Sequence, residues 1–247
     1  MPDFLNIIFI SLLAGLATGL GGLIAIIRKP GEHLFGFLMG FTAGVMIALA
    51  FGLVFESQEH SGFMVATIGF TAGALLMFAL DILIPHIRFA VRENGRKRSS
   101  MVNTGLLIAA GITLHNIPEG IAVGAGYLHT PALGVFVALA VAAHNFPEGI
   151  AVAVPVFMGG ASKRKAVALA FLSGLAEPVG ATLAVLLLRP FQGIVPTALS
   201  FAGGVMIFIT LDELVPFAHK HGHEHFTPLG IIAGVVSMLF LMGIFGI

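Results

Sequence analysis

Apolar residues run along this chain in eight long stretches, parted by short polar breaks. They span roughly 4–27, 34–55, 63–85, 101–126, 131–157, 167–188, 193–216 and 227–246. About twenty apolar residues is the length of helix that crosses a hydrocarbon layer ~30 Å thick. The stretches are continuously apolar and lack the two-residue alternation of a barrel strand, so each is predicted to be a helix. The pattern therefore predicts an all-α integral membrane protein of eight transmembrane helices, with residues 1–247 forming one domain.

The polar breaks give the orientation. With the N-terminus outside, the cytoplasmic connections are 28–33, 86–100, 159–165 and 217–226. These hold Arg28 and Lys29, then Arg88, Arg92, Arg96, Lys97 and Arg98, then Lys163, Arg164 and Lys165, then Lys220. Eleven of the twelve basic residues fall on that side, Arg189 being the exception. The positive-inside rule then places both termini outside.

Composition narrows the function classes. Charged residues make up 10% of the chain and hydrophobic ones 57%, with a mean hydropathy of +1.03. A formal net charge of zero gives no electrostatic support for nucleic-acid binding. The absence of cysteine removes disulfides, thiolate ligands and cysteine nucleophiles. A metal held here would have to rely on His, Asp, Glu, Asn and backbone oxygen.

One polar motif is written twice inside the apolar runs. Residues 115–120 read His-Asn-Ile-Pro-Glu-Gly and residues 144–149 read His-Asn-Phe-Pro-Glu-Gly. Ionisable groups at membrane depth are costly, and their default reading is a functional site. On a helix, His115, Asn116 and Glu119 share a face, as do His144, Asn145 and Glu148. Pro118 and Pro147 remove an N–H and release the carbonyls of Leu114 and Ala143, which predicts a kink in each helix. Gly120 and Gly149 leave room for a close neighbour. A third carboxylate, Glu177, stands before Pro178 in the sixth stretch.

Three carboxylates in one hydrocarbon layer repel one another unless cations neutralise them. Imidazole and carboxylate together suit Zn²⁺, with Fe²⁺, Mn²⁺, Co²⁺ or Cd²⁺ as alternatives. The carboxylates exceed the needs of one ion, so a pair bridged by Glu119 and Glu148 is geometrically reasonable. The competing reading is polar glue, with His–Glu hydrogen bonds joining helices without metal. Two copies of the motif plus Glu177 favour metal.

The doubled His-Asn-x-Pro-Glu-Gly followed by Glu177-Pro178 resembles the ZIP (Zrt-, Irt-like protein) metal transporters, particularly their bacterial GufA-like branch. Asp81-Ile-Leu-Ile-Pro-His86 and Asp212-Glu213-Leu-Val-Pro216 look like that branch as well. The resemblance implies a 3+2+3 organisation with an inverted repeat. A short internal match, 41–47 Phe-Thr-Ala-Gly-Val-Met-Ile against 201–207 Phe-Ala-Gly-Gly-Val-Met-Ile, agrees with such a repeat. It further implies a binuclear site. His115, Glu119, His144 and Glu148 would surround one ion; Asn116, Glu119, Asn145, Glu148 and Glu177 would surround the second. Relatives often carry Asp where this chain has Asn145, so the second ion has one carboxylate fewer here.

Around this centre, Asp81 and His86 lie at the cytoplasmic end of the third stretch, and Asp212 and Glu213 at that of the seventh. His219, His221, His223 and His225 cluster with Glu224 in the last cytoplasmic connection. They form a possible exit route or secondary metal site, or else an ordinary solvated boundary. Glu56, Glu59 and His60 lie at the outer face and could attract cations, with an ordinary wet loop the favoured reading, and His33 and His129 are single loop histidines without an assigned role.

The expected function is transport of a divalent transition metal, Zn²⁺ first, toward the cytoplasm by alternating access at a midplane site. Zn²⁺ is then substrate, and no organic cofactor is expected. The expected partners are divalent ions and the lipid bilayer, with a homodimer as the assembly to test, in the inner cell membrane. One rival is an intramembrane metallohydrolase, although the chain has no His-Glu-x-x-His and offers no separate base. The other is a metal receptor without transport, although the chain has no soluble output domain. The reading is therefore of a protein that is not an enzyme.

Overall fold

The computed structural model describes residues 2–83 and 98–247, and it is all helix. In chain order the helices are α1 (Pro2–Ile27), α2 (Glu32–Ser61), α3 (Phe63–Leu83), α4 (Arg98–His129), α5 (Pro131–Met158), α6 (Lys163–Gly174), α7 (Ala176–Leu188), α8 (Val195–Ile209), α9 (Val215–His221) and α10 (Phe226–Phe245). A 3₁₀ turn, Arg189–Ile194, joins α7 to α8, and a π turn, Thr210–Leu214, joins α8 to α9. Six helical stretches among the described residues are long and apolar enough to cross a membrane. The protein is a multi-pass, all-α membrane protein.

The ends of these elements follow from local chemistry. Thr130 accepts a hydrogen bond from the Leu133 N–H at 3.1 Å and Pro131 opens α5, a favourable helix start. Ser162 does the same for Lys165 at the start of α6. Between α2 and α3 the chain turns on the single residue Gly62, whose φ of +83° a side chain would strain.

Helix ends and continuity differ from the sequence expectation: α4 runs on to His129, which the sequence reading leaves in a loop, and the seventh stretch is interrupted by the π turn. The apolar run of the second stretch stops at Phe55, but α2 continues to Ser61. Glu56, Glu59 and His60 therefore stand on a helical turn instead of a loop. Helical hydrogen bonding does not require apolar side chains once the helix reaches water, and Gly62 supplies the stop. The sixth stretch, read as one helix, breaks at Leu175 into α6 and α7. Pro178 cannot donate to the Gly174 carbonyl, which explains a break at that point.

Burial places α5 at the centre. In its most apolar window 72% of residues are buried, against 17% in α3 and α10, which present apolar faces outward. The principal neighbours are α1 with α5, α2 with α10, α4 with α7, α3 with α8 and α4 with α5.

Candidate metal centre

Helices α4 and α5 lie side by side and bring the two hexapeptides together. His115, Asn116, Glu119, His144, Asn145, Glu148 and, from α7, Glu177 are all buried, none more than 3% exposed. Both helices continue through their prolines, Pro118 and Pro147. The carbonyls of Leu114 and Ala143 still lose their usual partner inside the helix.

The polar contacts cross from one helix to the other. His144 Nε2 lies 3.0 Å from Glu119 Oε1, and His115 Nε2 lies 3.7 Å from Glu148 Oε1. One ligand atom each of His115, Glu119 and Glu148 falls within 4.8 Å of the other two. Ligand atoms around one tetrahedral Zn²⁺ stand about 3.3–3.6 Å apart. A small adjustment would therefore close these three on an ion, with His144 adjoining through Glu119.

The two asparagines are held differently. Asn145 Nδ2 donates to Glu177 Oε1 and to the Ala14 carbonyl of α1. Asn116 Nδ2 donates to the Ser173 carbonyl of α6 at 3.1 Å, next to the break at Leu175. Each amide nitrogen thus anchors its helix to a neighbour, and each amide oxygen is left over. Thr42 of α2 donates to the His144 carbonyl at 3.3 Å. Ser173, Thr42 and Ala14 belong to this shell, and sequence reasoning missed them. Ser173 and Ala14 act through backbone carbonyls, which side-chain identity does not reveal. Thr42 lies in the repeated stretch 41–47, the one available hint.

Six buried oxygens of this cluster have no hydrogen-bond donor: Asn116 Oδ1, Glu119 Oε2, Asn145 Oδ1, both Glu148 oxygens and Glu177 Oε2. Buried polar atoms are almost always paired, and each orphan is costly. These oxygens outnumber the remaining free groups of the cluster: the nearby amide N–H groups already have partners, and only the ring nitrogens His115 Nε2 and His144 Nδ1 are also left over. An excess of acceptors is the chemistry that suits a cation. The ligand set is mixed imidazole and oxygen with no thiolate, which suits a borderline divalent ion.

Glycines let the supporting helices approach this closely. A Cβ on Gly120 would overlap the Glu177 carbonyl, and one on Gly149 would overlap the Thr18 carbonyl. The last residue of each hexapeptide is therefore the place where α4 meets α7 and α5 meets α1.

Of the peripheral candidates, Asp81 is buried at 5% exposure. Asp212 and Glu213 sit half-buried on the π turn, a distortion common at functional sites. Glu213 is within electrostatic reach of Asp81, Asp212 and Glu148. His86 lies outside the described residues, and so does the side chain of His221. His219 and His225 are exposed. His223 stacks on His33, ring centres 4.5 Å apart at 23°, and its ring centre is 5.6 Å from that of His225. Among the described residues no three of these histidines converge as one ligand group.

The family model described as ZIP zinc transporter matches residues 90–242, which include both hexapeptides, Glu177 and Asp212-Glu213. A protein named zinc transporter ZupT from Corynebacterium efficiens is 42% identical, covering 96% of this chain and 97% of its own. ZupT of Chlorobium luteolum is 38% identical over 96% of this chain and 97% of its own. ZupT of Streptococcus mutans is 38% identical over 92% of each. With the family match spanning more than half the chain and these relatives nearly all of it, the chain belongs to the ZIP zinc transporter family.

Proposed function

We propose that this transporter carries Zn²⁺, or a similar divalent transition-metal ion, toward the cytoplasm by alternating access at the cluster built from His115, Asn116, Glu119, His144, Asn145, Glu148 and Glu177. The protein moves divalent metal and is not an enzyme. The observation that carries the site assignment is the set of six buried acceptor oxygens without donors. Glu119 and Glu148 each reach toward both helices' histidines, so they are the bridging ligands if two ions bind. Asn116, Asn145 and Glu177 would then complete the second position. Release toward the cytoplasm would follow the acidic groups Glu213, Asp212 and Asp81, a reading supported by Glu213 being within electrostatic reach of Glu148 as well as of Asp212 and Asp81. Protons compete with metal at every one of these ligands, so lower pH weakens binding.

The topology that fits this reading has eight spans in one unit, with both termini outside. The stretch Lys163–Lys220 is 58 residues, about 87 Å as a straight helix. Since it is far longer than the bilayer, it supports two passes divided at Phe191, whose φ of −128° and ψ of 58° are not helical. The glycine contacts support an inverted 3+2+3 repeat. A Cβ on Gly44 would press on the Ile231 carbonyl of α10, and one on Gly204 on the Phe70 carbonyl of α3. These are matching glycines of the two repeated stretches. Likewise Gly21 meets the Phe146 carbonyl and Gly180 the Ile117 carbonyl, the same position of each hexapeptide.

The moving parts are then one block of α1, α4, α5, α6 and α7 and another of α2, α3, α8, α9 and α10. Among the described residues, every glycine that presses on another helix does so within one block. Interlocked backbones hold each block rigid, and the boundary is left to side chains, which slide more easily. The inner cell membrane and a homodimer are the proposed setting.

The test is Zn²⁺ uptake by proteoliposomes containing the purified chain. The expected result is uptake in the parent and its loss in the Glu119→Ala/Glu148→Ala double variant. Full retention in the double variant would overturn the assignment. A hydrolase or a silent receptor predicts no net ion movement in the parent.

A further inference from the structure

A second group of ligands assembles well away from the centre. Glu56 and His60 stand on the last turns of α2, and His129 closes α4. Glu56 Oε1 lies 3.0 Å from His129 Nε2 and 3.6 Å from His60 Nδ1. One ligand atom of each residue falls within 4.8 Å of the other two. The two imidazole rings meet edge to face, 4.3 Å apart at 84°. His60 Nδ1 also lies 3.0 Å from the Glu56 carbonyl, a contact that orients the ring beside the carboxylate. The side chains of Glu56 and His129 are 18% and 11% exposed and that of His60 46%. The group is therefore preformed but open to water.

We propose that Glu56, His60 and His129 form a separate binding site for a divalent transition-metal ion. Two imidazoles and one carboxylate, with an open fourth position for water, match the ligand number and chemistry that Zn²⁺ and its neighbours select. A simple ion pair would need one histidine; here one carboxylate oxygen faces two, one of them 73 residues away in sequence. In the orientation proposed above the site is on the outer face. His129 follows Glu119 by ten residues on α4, ~15 Å along the helix, so a captured ion stands about three helical turns from the central ligands. The site also spans the boundary between blocks, with Glu56 and His60 on one side and His129 on the other. An ion seated there ties α2 to α4.

The site is read by counting Zn²⁺ and Co²⁺ bound at equilibrium to the full chain in lipid nanodiscs, with the central site intact and with Glu119→Ala/Glu148→Ala. The expected result is one fewer equivalent in His60→Ala/His129→Ala than in its parent, in both backgrounds. The central variant should keep that equivalent, so failure of the central assignment does not mask it. Should the double variant fold poorly, Glu56→Gln preserves shape and should weaken the same equivalent by at least about 10-fold. An unchanged ion count in His60→Ala/His129→Ala, or unchanged affinity in Glu56→Gln, would overturn the proposal.

Discussion

His144 on α5 reaches across to Glu119 on α4, Nε2 to Oε1 at 3.0 Å, while His115 on α4 faces Glu148 on α5 at 3.7 Å. Each hexapeptide thus completes the other, and neither helix carries a sufficient site alone. Removing either carboxylate takes away a ligand and strands a buried imidazole on the opposite helix. Glu119→Ala and Glu148→Ala should each cut Zn²⁺ uptake by about 10- to 100-fold or more. His115→Ala should cost less than Glu119→Ala, because it removes one contact where the glutamate serves two helices. Initial uptake rates in proteoliposomes, normalised to reconstituted protein, check the order.

The close approach of α4 to α7 makes a stability prediction. Any side chain at 120 presses on the backbone of Glu177, which cannot rotate away as a side chain would. Gly120→Ala should therefore destabilise by about 1–3 kcal/mol, seen as a lower unfolding temperature in detergent. Gly31→Ala, where nothing lies within 4 Å, is the control and should lower that temperature less, losing only the N-cap preference for glycine.

Asn116 offers a separate test of what the amides do. Its Nδ2 satisfies the Ser173 carbonyl next to the α6–α7 break. Asn116→Ala takes the side-chain donor from that buried carbonyl, which keeps only the Leu175 N–H, at about 0.5–1.5 kcal/mol, and withdraws one oxygen from the proposed second ion. Asn116→Asp keeps the oxygen but loses the donor. If anchoring dominates, both variants lower the unfolding temperature of the metal-free protein. Equal stability of Asn116→Asp and the parent would show that the anchor is unimportant.

Much of this was legible in the sequence, for a physical reason. His115, Glu119, His144 and Glu148 interrupt apolar runs, and a charge at membrane depth stands out against its surroundings. The structure gathers these residues with Glu177 into one buried cluster. Less legible was anything that depends on backbone atoms of another helix, such as Asn116 with Ser173 or Thr42 with His144. Side-chain identity does not report which carbonyl a break has released. His129 and Glu56 were illegible as a pair for another reason. Apolar counting ends a helix where hydrophobicity ends, but α2 and α4 continue into water and carry their last turns together.

The boundary between the blocks can be tested through the same contact. The chain has no cysteine, so Glu56→Cys/His129→Cys creates a single thiol pair across the boundary. Hg²⁺ bridging the two sulfurs should arrest Zn²⁺ uptake, and dithiothreitol should restore it. Each single variant should be insensitive to the same Hg²⁺ concentration. Undiminished uptake in the bridged double variant would mean that α2 and α4 do not move relative to one another during transport.

Asn145 bears on how many ions are held. Its amide nitrogen donates to Glu177, a bond that stabilises the carboxylate when no metal is present. Asn145→Asp removes that donor and sets two carboxylates face to face. Without metal the pair should repel, lowering the unfolding temperature below that of the parent. With Zn²⁺ the added charge should strengthen the second position. The Zn²⁺-induced rise in unfolding temperature should then be larger than in the parent, since stabilisation grows with occupancy over affinity. Asn145→Ala separates the two effects, since it loses the donor without gaining a ligand. It should share the lower metal-free stability and show no larger response to Zn²⁺. If Asn145→Asp responds to Zn²⁺ no more than Asn145→Ala does, residue 145 does not touch a bound ion.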